Sequence, residues 1–321
     1  MLKPSLKLLL TAMALLSFLS PAIAADYPTR PIRLVVPHAA GGTADIVSRI
    51  FGEYLGRELG QTVVIENKAG ASTMIAAEQV ANAPADGYTL LMASVTTLSI
   101  NPSVYKKIPY DPQRDFKPVS MVASLPFYLI VSPQLKLTSV QELIALAKSK
   151  PGKLNYFSPG EGTSPHLVAA LFSNLANIDV VHVPYKATAA AEVDLNAGRI
   201  HFAFTGSAMP AIKNGRVDGL AVTSTERTKA FPNIPTLIEQ GVKVDAAVWN
   251  GIVVPAATPQ QIVDRLATAL AKVARLPEVI EKVGSYSGIS VGSTPGEFET
   301  LIKNETIRWA TVIQNSGVKP E

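Results

Sequence analysis

Apolar and polar residues alternate along the chain with two periods, one typical of strands and one typical of helices. The run Ile32–Val36 is almost continuously apolar, which predicts a strand covered on both faces. Residues 44–59 then place their apolar side chains on one stripe, as in an amphipathic helix, and Gly60 is expected to end it. The same order repeats with strand 63–66, helix 74–82 and strand 88–93. This alternation predicts an α/β fold with a parallel sheet wrapped by helices.

The second half of the chain resumes this alternation after a segment of different texture. Residues 101–118 are rich in proline and charge without a clear period, so they are predicted to form a long connection. Ser139 followed by Glu142 is typical of a capping box and predicts a helix start. The runs 119–123 and 127–131 are expected to include a first crossing between two lobes, and 246–254 the return. The other predicted strands are 154–157, 180–183, 201–204 and 220–223, and the other helices are 139–148, 164–175, 187–196, 259–274, 277–283 and 295–316.

Two glycine-rich turns follow predicted strands, one in each half of the chain. Adjacent glycines let the backbone adopt positive φ and approach a bound group closely. The first N–H groups of the following helix lack helical partners and carry partial positive charge. Each turn therefore predicts an anion site, although the first fits a tight turn capped by Thr43 or Asp45 equally well. The candidate residues are His38, Ala39, Ala40, Gly41, Gly42, Thr43 and Asp45, then Ser158, Gly160, Gly162, Thr163, Ser164 and His166.

Polar residues also follow the predicted strand 88–93. Ser94 and Thr97 come directly after this strand, at its carboxyl end. Ligands of parallel sheets bind outside the carboxyl ends of strands. Both residues are therefore added to the candidate site.

The first residues have the composition of an export signal. Lys3 and Lys7 precede an apolar run over residues 8–19, and the small residues of 22–25 suit a cleavage point. The sequence therefore predicts a signal peptide over residues 1–24, cleaved near Ala24. An uncleaved membrane anchor is the alternative, but polar residues and a proline interrupt the run, which falls short of the roughly 20 residues of a span.

Composition narrows the class of protein. Removal of the leader leaves about 300 residues, enough for two lobes with their own cores. The 321-residue chain has no cysteine, so it relies on core burial rather than disulfides, and a lipid anchor at the processing site is excluded. The formal net charge is +4 with scattered basic residues, so nucleic acid is not an expected partner. Hydrophobic residues at 47% and charged residues at 17% suit a compact soluble globule.

Motifs of catalysis and metal binding are missing from the sequence. Four histidines and no cysteine occur, without an HExxH motif, a G-x-S-x-G elbow or a metal-spaced cluster. His38, Ser158 and Asp45 supply the residue types of a triad, but nothing in their spacing requires one. We therefore expect neither an enzyme, nor a metal site, nor a cofactor.

Ordered motifs extend over essentially the whole mature chain: Tyr27-Pro28-Thr29-Arg30-Pro31-Ile32, Pro37…Gly41-Gly42…Asp45, Glu66-Asn67-Lys68-Ala69-Gly70-Ala71, Ala85-Asp86-Gly87-Tyr88-Thr89-Leu90, Pro109-Tyr110-Asp111-Pro112, Gly160-x-Gly162-Thr163-Ser164-x-His166 and Val181-His182-Val183-Pro184-Tyr185-Lys186. With these motifs the chain resembles the Bordetella uptake gene (Bug) family, the periplasmic receptors of tripartite tricarboxylate transporters.

The resemblance implies a two-lobed periplasmic-binding-protein (Venus flytrap) fold, each lobe a mostly parallel sheet flanked by helices. Lobe 1 is expected to comprise residues 25–124 and 250–321, and lobe 2 residues 125–249. It further implies that one carboxylate of a small ligand is held between the two glycine-rich turns by main-chain groups and ordered water. The expected partners are that carboxylate and the integral-membrane permease subunits, and the expected assembly is a periplasmic monomer.

The chain departs from the family pattern at two places. His38 and Ala40 stand where the family usually has Phe and Pro, and Thr205 and Gly206 stand where many relatives carry an Asp-Asn or similar pair. Loss of that carboxylate and amide fits a larger distal pocket or a more negative ligand. It also argues against an amino-acid ligand, whose ammonium group needs an acidic partner.

Several single residues keep two interpretations. His38 either faces the ligand or packs beneath the turn, and His166 either reaches the cleft or caps its helix. Trp249 is either an apolar wall of the ligand site or an aromatic of the core between the lobes. His182 is expected to be structural, and Asp45 to organise the turn rather than touch an anion.

Three classes of function follow from these observations. The leading hypothesis is capture of a small di-, tri- or aromatic carboxylate for delivery to a permease. A receptor that presents its ligand to a sensor kinase is compatible with the same sequence. A periplasmic enzyme is the third alternative, and no motif supports it.

Overall fold

A computed structural model of the protein describes residues 27–186, 188–244 and 246–316. The predicted signal peptide, residues 1–24, lies outside these described residues. Within them, no helix combines the length and the apolar character that a membrane crossing requires.

The elements alternate much as the periodicity predicts. The strands are β1 Ile32–Val36, β2 Val63–Asn67, β3 Thr89–Ser94, β4 Phe116–Pro126, β5 Tyr128–Val131, β6 Asn155–Ser158, β7 Val181–Pro184, β8 Phe202–Thr205, β9 Asp218–Val222, β10 Ala247–Pro255 and β11 Ile289–Ser290. The helices are α1 Thr43–Leu59, α2 Met74–Ala81, α3 Asn101–Val104, α4 Val140–Ser149, α5 Ser164–Ala176, α6 Thr188–Asn196, α7 Met209–Lys213, α8 Gln260–Val273, α9 Pro277–Gly284 and α10 Pro295–Ser316. A π-helical turn, Thr96–Ile100, follows β3.

The strands form two sheets. The first has the order β11-β4-β10-β3-β1-β2, with β1 parallel to both β2 and β3 and with β10 antiparallel to β3 and β4. The second has the order β7-β6-β8-β5-β9, in which only β5 runs against its neighbours. The first sheet is therefore more mixed than predicted, because the long strands that connect the lobes enter it as antiparallel neighbours.

The core explains why the central strands are so apolar. Every residue of β3 is buried, as expected for a strand covered by helices on both faces. One hydrophobic cluster includes side chains of both sheets, for example Leu34 of β1 and Phe204 of β8. A second cluster, which includes Ile130 and Ala203, lies within the second sheet's lobe. Apolar packing therefore continues from one lobe into the other.

The chain passes between the sheets where the sequence predicts. It leaves the first sheet after Pro126 and enters the second at Tyr128, and β10 has returned it to the first sheet by Ala247. The residue limits of the lobes given above stay a prediction. The C-terminal helix α10 packs against β4 of the first sheet and α5 beside the second, so it braces both lobes.

Candidate functional site

A cavity of about 950 Å³ lies between the two sheets, at the ends of strands that carry the predicted turns. Its walls are partly apolar, with Phe127, Phe157 and Phe204, and partly polar. Among the described residues that line it, Lys186 and Glu161 carry the formal charges, and they balance. A negatively charged ligand would therefore depend on neutral donors as well as on one lysine.

The first turn presents the start of α1 to this cavity. Gly41 has φ of 83°, a left-handed value that favours glycine, and Gly42 is the N-cap residue without a side-chain cap. The first helical hydrogen bond runs from Ile46 N–H to the Gly42 carbonyl at 3.0 Å. The N–H groups of Thr43 and Ala44 precede it, and both residues line the cavity. This helix start therefore offers peptide donors and partial positive charge.

Asp45 organises the turn from the side away from the cavity. Its carboxylate accepts hydrogen bonds from Gly41 N–H at 2.9 Å, Arg49 Nε at 3.0 Å and Asn67 Nδ2 at 3.0 Å. Burial raises the pKa of Asp45, but these hydrogen bonds outweigh burial and hold it below its usual value. The alternative in which Thr43 or Asp45 caps the helix is wrong, because Gly42 is the N-cap residue without a side-chain cap and the Asp45 carboxylate binds the N–H of Gly41 instead.

The second turn has fewer free donors than predicted. Three of its N–H groups donate to side chains of the protein: Gly160 to Ser158 Oγ (3.2 Å), Gly162 to His166 Nδ1 (3.0 Å) and Ser164 to Thr96 Oγ1 (3.1 Å). Pro165, in the first turn of α5, has no N–H to offer. The two turns are therefore unequal, and the start of α1 is the better anion site.

A histidine pair braces the second turn. The rings of His166 and His182 stack with centroids 4.0 Å apart, and the Tyr156 ring lies beside both, stacked on His166 and tilted against His182. His182 Nε2 shares a hydrogen bond of 2.7 Å with Ser158 Oγ. Burial lowers the pKa of His166 to about 4, and burial together with nearby His166 lowers the pKa of His182 to about 3. Both rings are therefore neutral at neutral pH.

Ligand atoms of Glu161, His166 and His182 lie within 4.8 Å of one another, a spacing that also suits a metal ion. One nitrogen of each ring is already engaged, His166 Nδ1 by Gly162 and His182 Nε2 by Ser158. Through these hydrogen bonds the two histidines hold the second glycine-rich turn in its conformation.

His38 lines the cavity beside the first turn and is half-buried. Burial lowers the pKa of its imidazole to about 4, so the ring is neutral at neutral pH. The triad considered above is not assembled. Ser158 bonds to His182 rather than His38, and Asp45 is engaged by the turn.

The predicted site residues divide into two groups. Those that line the cavity are His38, Ala39, Gly42, Thr43, Ser94, Gly160, Thr163, Ser164, Thr205 and Gly206. Those that lie outside its lining are Ala40, Gly41, Asp45, Thr97, Ser158, Gly162, His166 and Trp249. Contact of the first group with a ligand stays a prediction.

Two residues of the second group face away for identifiable reasons. Thr97 is fully buried and its hydroxyl lies 3.4 Å from both the N–H and the hydroxyl of Ser94. Trp249 packs edge-on against Phe298, and its indole N–H donates to Glu305 at 3.1 Å. Of its two interpretations, the core aromatic therefore agrees with the structure.

Sequence reasoning missed several lining residues. Asn250 lies beside Trp249 in β10, and alternation along the strand turns Val248 and Asn250 toward the cavity. A polar residue in an otherwise apolar strand was the available signal. The segment after β2 and further residues of both lobes also line the cavity: Ala69, Gly70, Ala71, Ser72, Thr73, Tyr105, Tyr185, Lys186, Thr188 and Ser207.

Polar contacts join the lobes beside the cavity. Tyr105 Oη lies 2.8 Å from Ser72 Oγ and 3.0 Å from the Glu161 carbonyl, and its single proton is donated to one of these two acceptors. Ser72 also donates to the Glu161 carbonyl. We call Ser72, Tyr105 and Glu161 the cleft latch, because the first two belong to the first lobe and Glu161 to the second.

Comparison with known proteins identifies the family. A family model described as the tripartite tricarboxylate transporter family receptor matches residues 47–318. The chain belongs to this family. Protein BugT of Bordetella pertussis is 34% identical over 306 residues, which cover 94% of this chain and 93% of BugT. The resemblance to the Bug family is thereby confirmed.

Solved structures agree with this assignment. An R. palustris protein solved with adipate superposes with a TM-score of 0.89 at 34% identity, covering 92% of this chain and 100% of that one. The periplasmic binding protein BugD gives a TM-score of 0.88 at 31% identity, with the same coverage. The receptor thus has the two-lobed fold of periplasmic binding proteins.

Proposed function

We propose that this receptor binds a small carboxylate in the cavity between its lobes and delivers it to the permease subunits of a tripartite tricarboxylate transporter. It acts in the periplasm as a monomer, after removal of residues 1–24, and it does not catalyse a reaction. The lobes comprise residues 25–124 with 250–321, and residues 125–249.

One observation carries the proposal: the start of α1, with its free peptide donors, opens into a cavity between the lobes. A hydrogen bond to a charged group contributes about 1.5–3 kcal/mol, and micromolar affinity requires about 8 kcal/mol net. Peptide groups of one helix start therefore supply part of the affinity. Closure of the apolar walls over the rest of the ligand supplies the remainder. The relative solved with adipate supports a carboxylate.

Thermal-shift and calorimetric titration with adipate, succinate, citrate and benzoate tests the ligand class. We expect at least one of these acids to stabilise the protein, while glucose and simple cations leave the melting temperature unchanged. Stabilisation by sugars or cations, with none by any carboxylate, would refute the proposal.

A matched pair of variants tests the role of the α1 start. Thr43→Pro removes a peptide N–H at a helical position where proline is tolerated, and Gly42 before it has the extended ψ of 167° that proline requires. Thr43→Val keeps the N–H and removes only the hydroxyl. We expect the proline variant to lose at least tenfold in affinity and the valine variant clearly less. Equal losses would contradict binding by the peptide group.

A further inference from the structure

Asn250 is a fully buried amide in the wall of the cavity. It lies in β10 opposite Ser94 of β3, which lines the same cavity. Neither its Oδ1 nor its Nδ2 has a hydrogen-bond partner among the described residues. Buried amides in native proteins are almost always hydrogen-bonded, since an unmade bond there costs free energy. The unpartnered amide therefore points to a group that the cavity receives.

The strand holds this amide firmly in place. On one side, Trp249 is fixed by Phe298 and Glu305. On the other, Gly251 lies so close to Phe298 that an added Cβ would come within 2.2 Å of its ring. The register with β4 shifts between Asn250 and Gly251, an irregularity of the kind that re-aims a side chain. The backbone that carries the amide is thus held firmly on both sides of Asn250.

The amide requires two kinds of partner. Its Nδ2 donates hydrogen bonds and its Oδ1 only accepts them. A carboxylate satisfies the donor but repels the carbonyl oxygen, so an unsubstituted dicarboxylate leaves Oδ1 unpaired. A hydroxyl group beside a carboxylate supplies the missing donor. An ammonium group would do so too, but the loop of Thr205 and Gly206 offers it no carboxylate, and the charge of Glu161 in the cavity lining is already matched by that of Lys186.

We propose that Asn250 selects a hydroxyl-bearing carboxylate, with its Nδ2 donating to a carboxylate oxygen and its Oδ1 accepting from the ligand hydroxyl. This inference rests on the proposed function, because it assumes that carboxylates bind in this cavity. It names the ligand class as hydroxy acids rather than plain dicarboxylates or amino acids.

Three acids with one skeleton test the proposal in the wild-type protein. Succinate, malate and aspartate differ at one carbon, which carries hydrogen, hydroxyl or ammonium, and glutarate, 2-hydroxyglutarate and glutamate form a longer set. Tricarballylate and citrate form a branched pair. The comparison is made within the set of acids that binds most tightly. There, calorimetry is expected to show that the hydroxy acid binds at least tenfold more tightly than the acid without the hydroxyl, a difference of about 1.4 kcal/mol.

Two variants test whether the Asn250 amide causes the preference for hydroxy acids. Asn250→Leu keeps the approximate side-chain volume. In this variant the affinities for the plain acid and the hydroxy acid are expected to lie within about twofold of each other, mainly because the hydroxy acid binds more weakly. Thr258→Val is the matched control, because Thr258 also has a buried hydroxyl without a partner in the described structure but lies outside the cavity lining. The Thr258→Val protein should prefer the hydroxy acid over the plain acid by the same factor as the wild type.

The outcomes separate this inference from the function on which it rests. If no carboxylate binds, the proposed function fails. If carboxylates bind but the wild type shows equal affinity for plain and hydroxylated acids, or prefers the amino acid, the function stands and the role of Asn250 is overturned. Retention of the hydroxyl preference in a folded Asn250→Leu protein overturns it as well. If that variant does not fold, the wild-type ratios alone decide.

Discussion

Gly206 shows how one missing side chain shapes the cavity. It faces Thr43 of the opposite lobe, and a Cβ at Gly206 would lie 3.0 Å from Thr43 Oγ1 and 3.4 Å from Val248 Cγ1. The first distance is shorter than an ordinary contact, so the lobes would have to separate slightly. Glycine at this position therefore permits a closer approach of the lobes than a residue with a Cβ would.

We predict that Gly206→Ala weakens carboxylate binding about three- to tenfold, because the added methyl group opposes closure. The stability of the unliganded protein should stay equal or rise by about 0.4–1 kcal/mol, since alanine restricts the unfolded chain. Titration calorimetry and urea unfolding measure the two effects. Gly296→Ala is the control, since an added Cβ there meets no atom within 4 Å. An affinity within twofold of the wild type for Gly206→Ala would contradict the prediction.

The buried histidine pair predicts a pH dependence of stability. Burial lowers the pKa of His166 to about 4 and of His182 to about 3, from 6.5 in the unfolded chain. Between pH 6.5 and these lower values the unfolded chain binds more protons than the native one. The free energy of unfolding therefore falls as the pH is lowered through this window. Urea titrations at pH 7.5, 6.5 and 5.5 should show a smaller decline for His182→Gln, which retains a donor for Ser158. A decline as steep as the wild type's would show that His182 does not contribute.

At the scale of elements, periodicity predicted the long helices and the buried strands because their apolar residues recur over many positions. It missed Met209–Lys213 and Ile289–Ser290, which are too short to establish a period. The site could be predicted only in part for a different reason, which is that local sequence does not show which distant segments come together. The turns were found from their glycines, whereas Asn250 and the cleft latch depend on which distant segments meet. Local sequence also could not show that side chains of the second turn occupy its N–H groups.

The segment Ala71–Thr73, which carries Ser72 of the latch, is a strained element. Ala71, Ser72 and Thr73 have φ values of 43°, 45° and 79°, a left-handed conformation that costs roughly 1–2 kcal/mol per residue away from glycine. Asn101 Nδ2 supports the segment by donating to the Ser72 carbonyl at 2.8 Å. Ser72 makes its latch contact to the second lobe from this conformation.

We predict that Tyr105→Phe weakens carboxylate binding about five- to tenfold, because it removes the latch hydroxyl. Loss of one hydrogen bond corresponds to about 1–1.5 kcal/mol, and the effect should lie mainly in faster dissociation. Stopped-flow release of the ligand measures it. Tyr88→Phe serves as the control, since that hydroxyl bonds Thr29 N–H at 2.9 Å within the first lobe. An unchanged dissociation rate in Tyr105→Phe would show that the latch does not hold the closed form.

At the scale of the whole molecule, the lobes share apolar packing, and a buried carboxylate joins the crossing strand β10 to the C-terminal helix α10. The main hydrophobic cluster includes residues of both sheets, and α10 packs against elements of both. The two tryptophans of the chain, Trp249 and Trp309, both donate to Glu305 Oε2, at 3.1 and 3.0 Å. Their fluorescence therefore reports on the junction between the crossing strand β10 and α10.

From this packing we predict that the lobes unfold together. Calorimetry should show a single transition, and tryptophan fluorescence and far-ultraviolet circular dichroism should give the same midpoint. Ligand at about 100 times its dissociation constant adds about 2.7 kcal/mol, which should raise that midpoint by roughly 5–10 °C without splitting it, at about 2–4 °C per kcal/mol. If instead the fluorescence changed several degrees before the circular dichroism, the junction would separate before the lobes melt. The closed arrangement would then depend on the ligand rather than on the shared core.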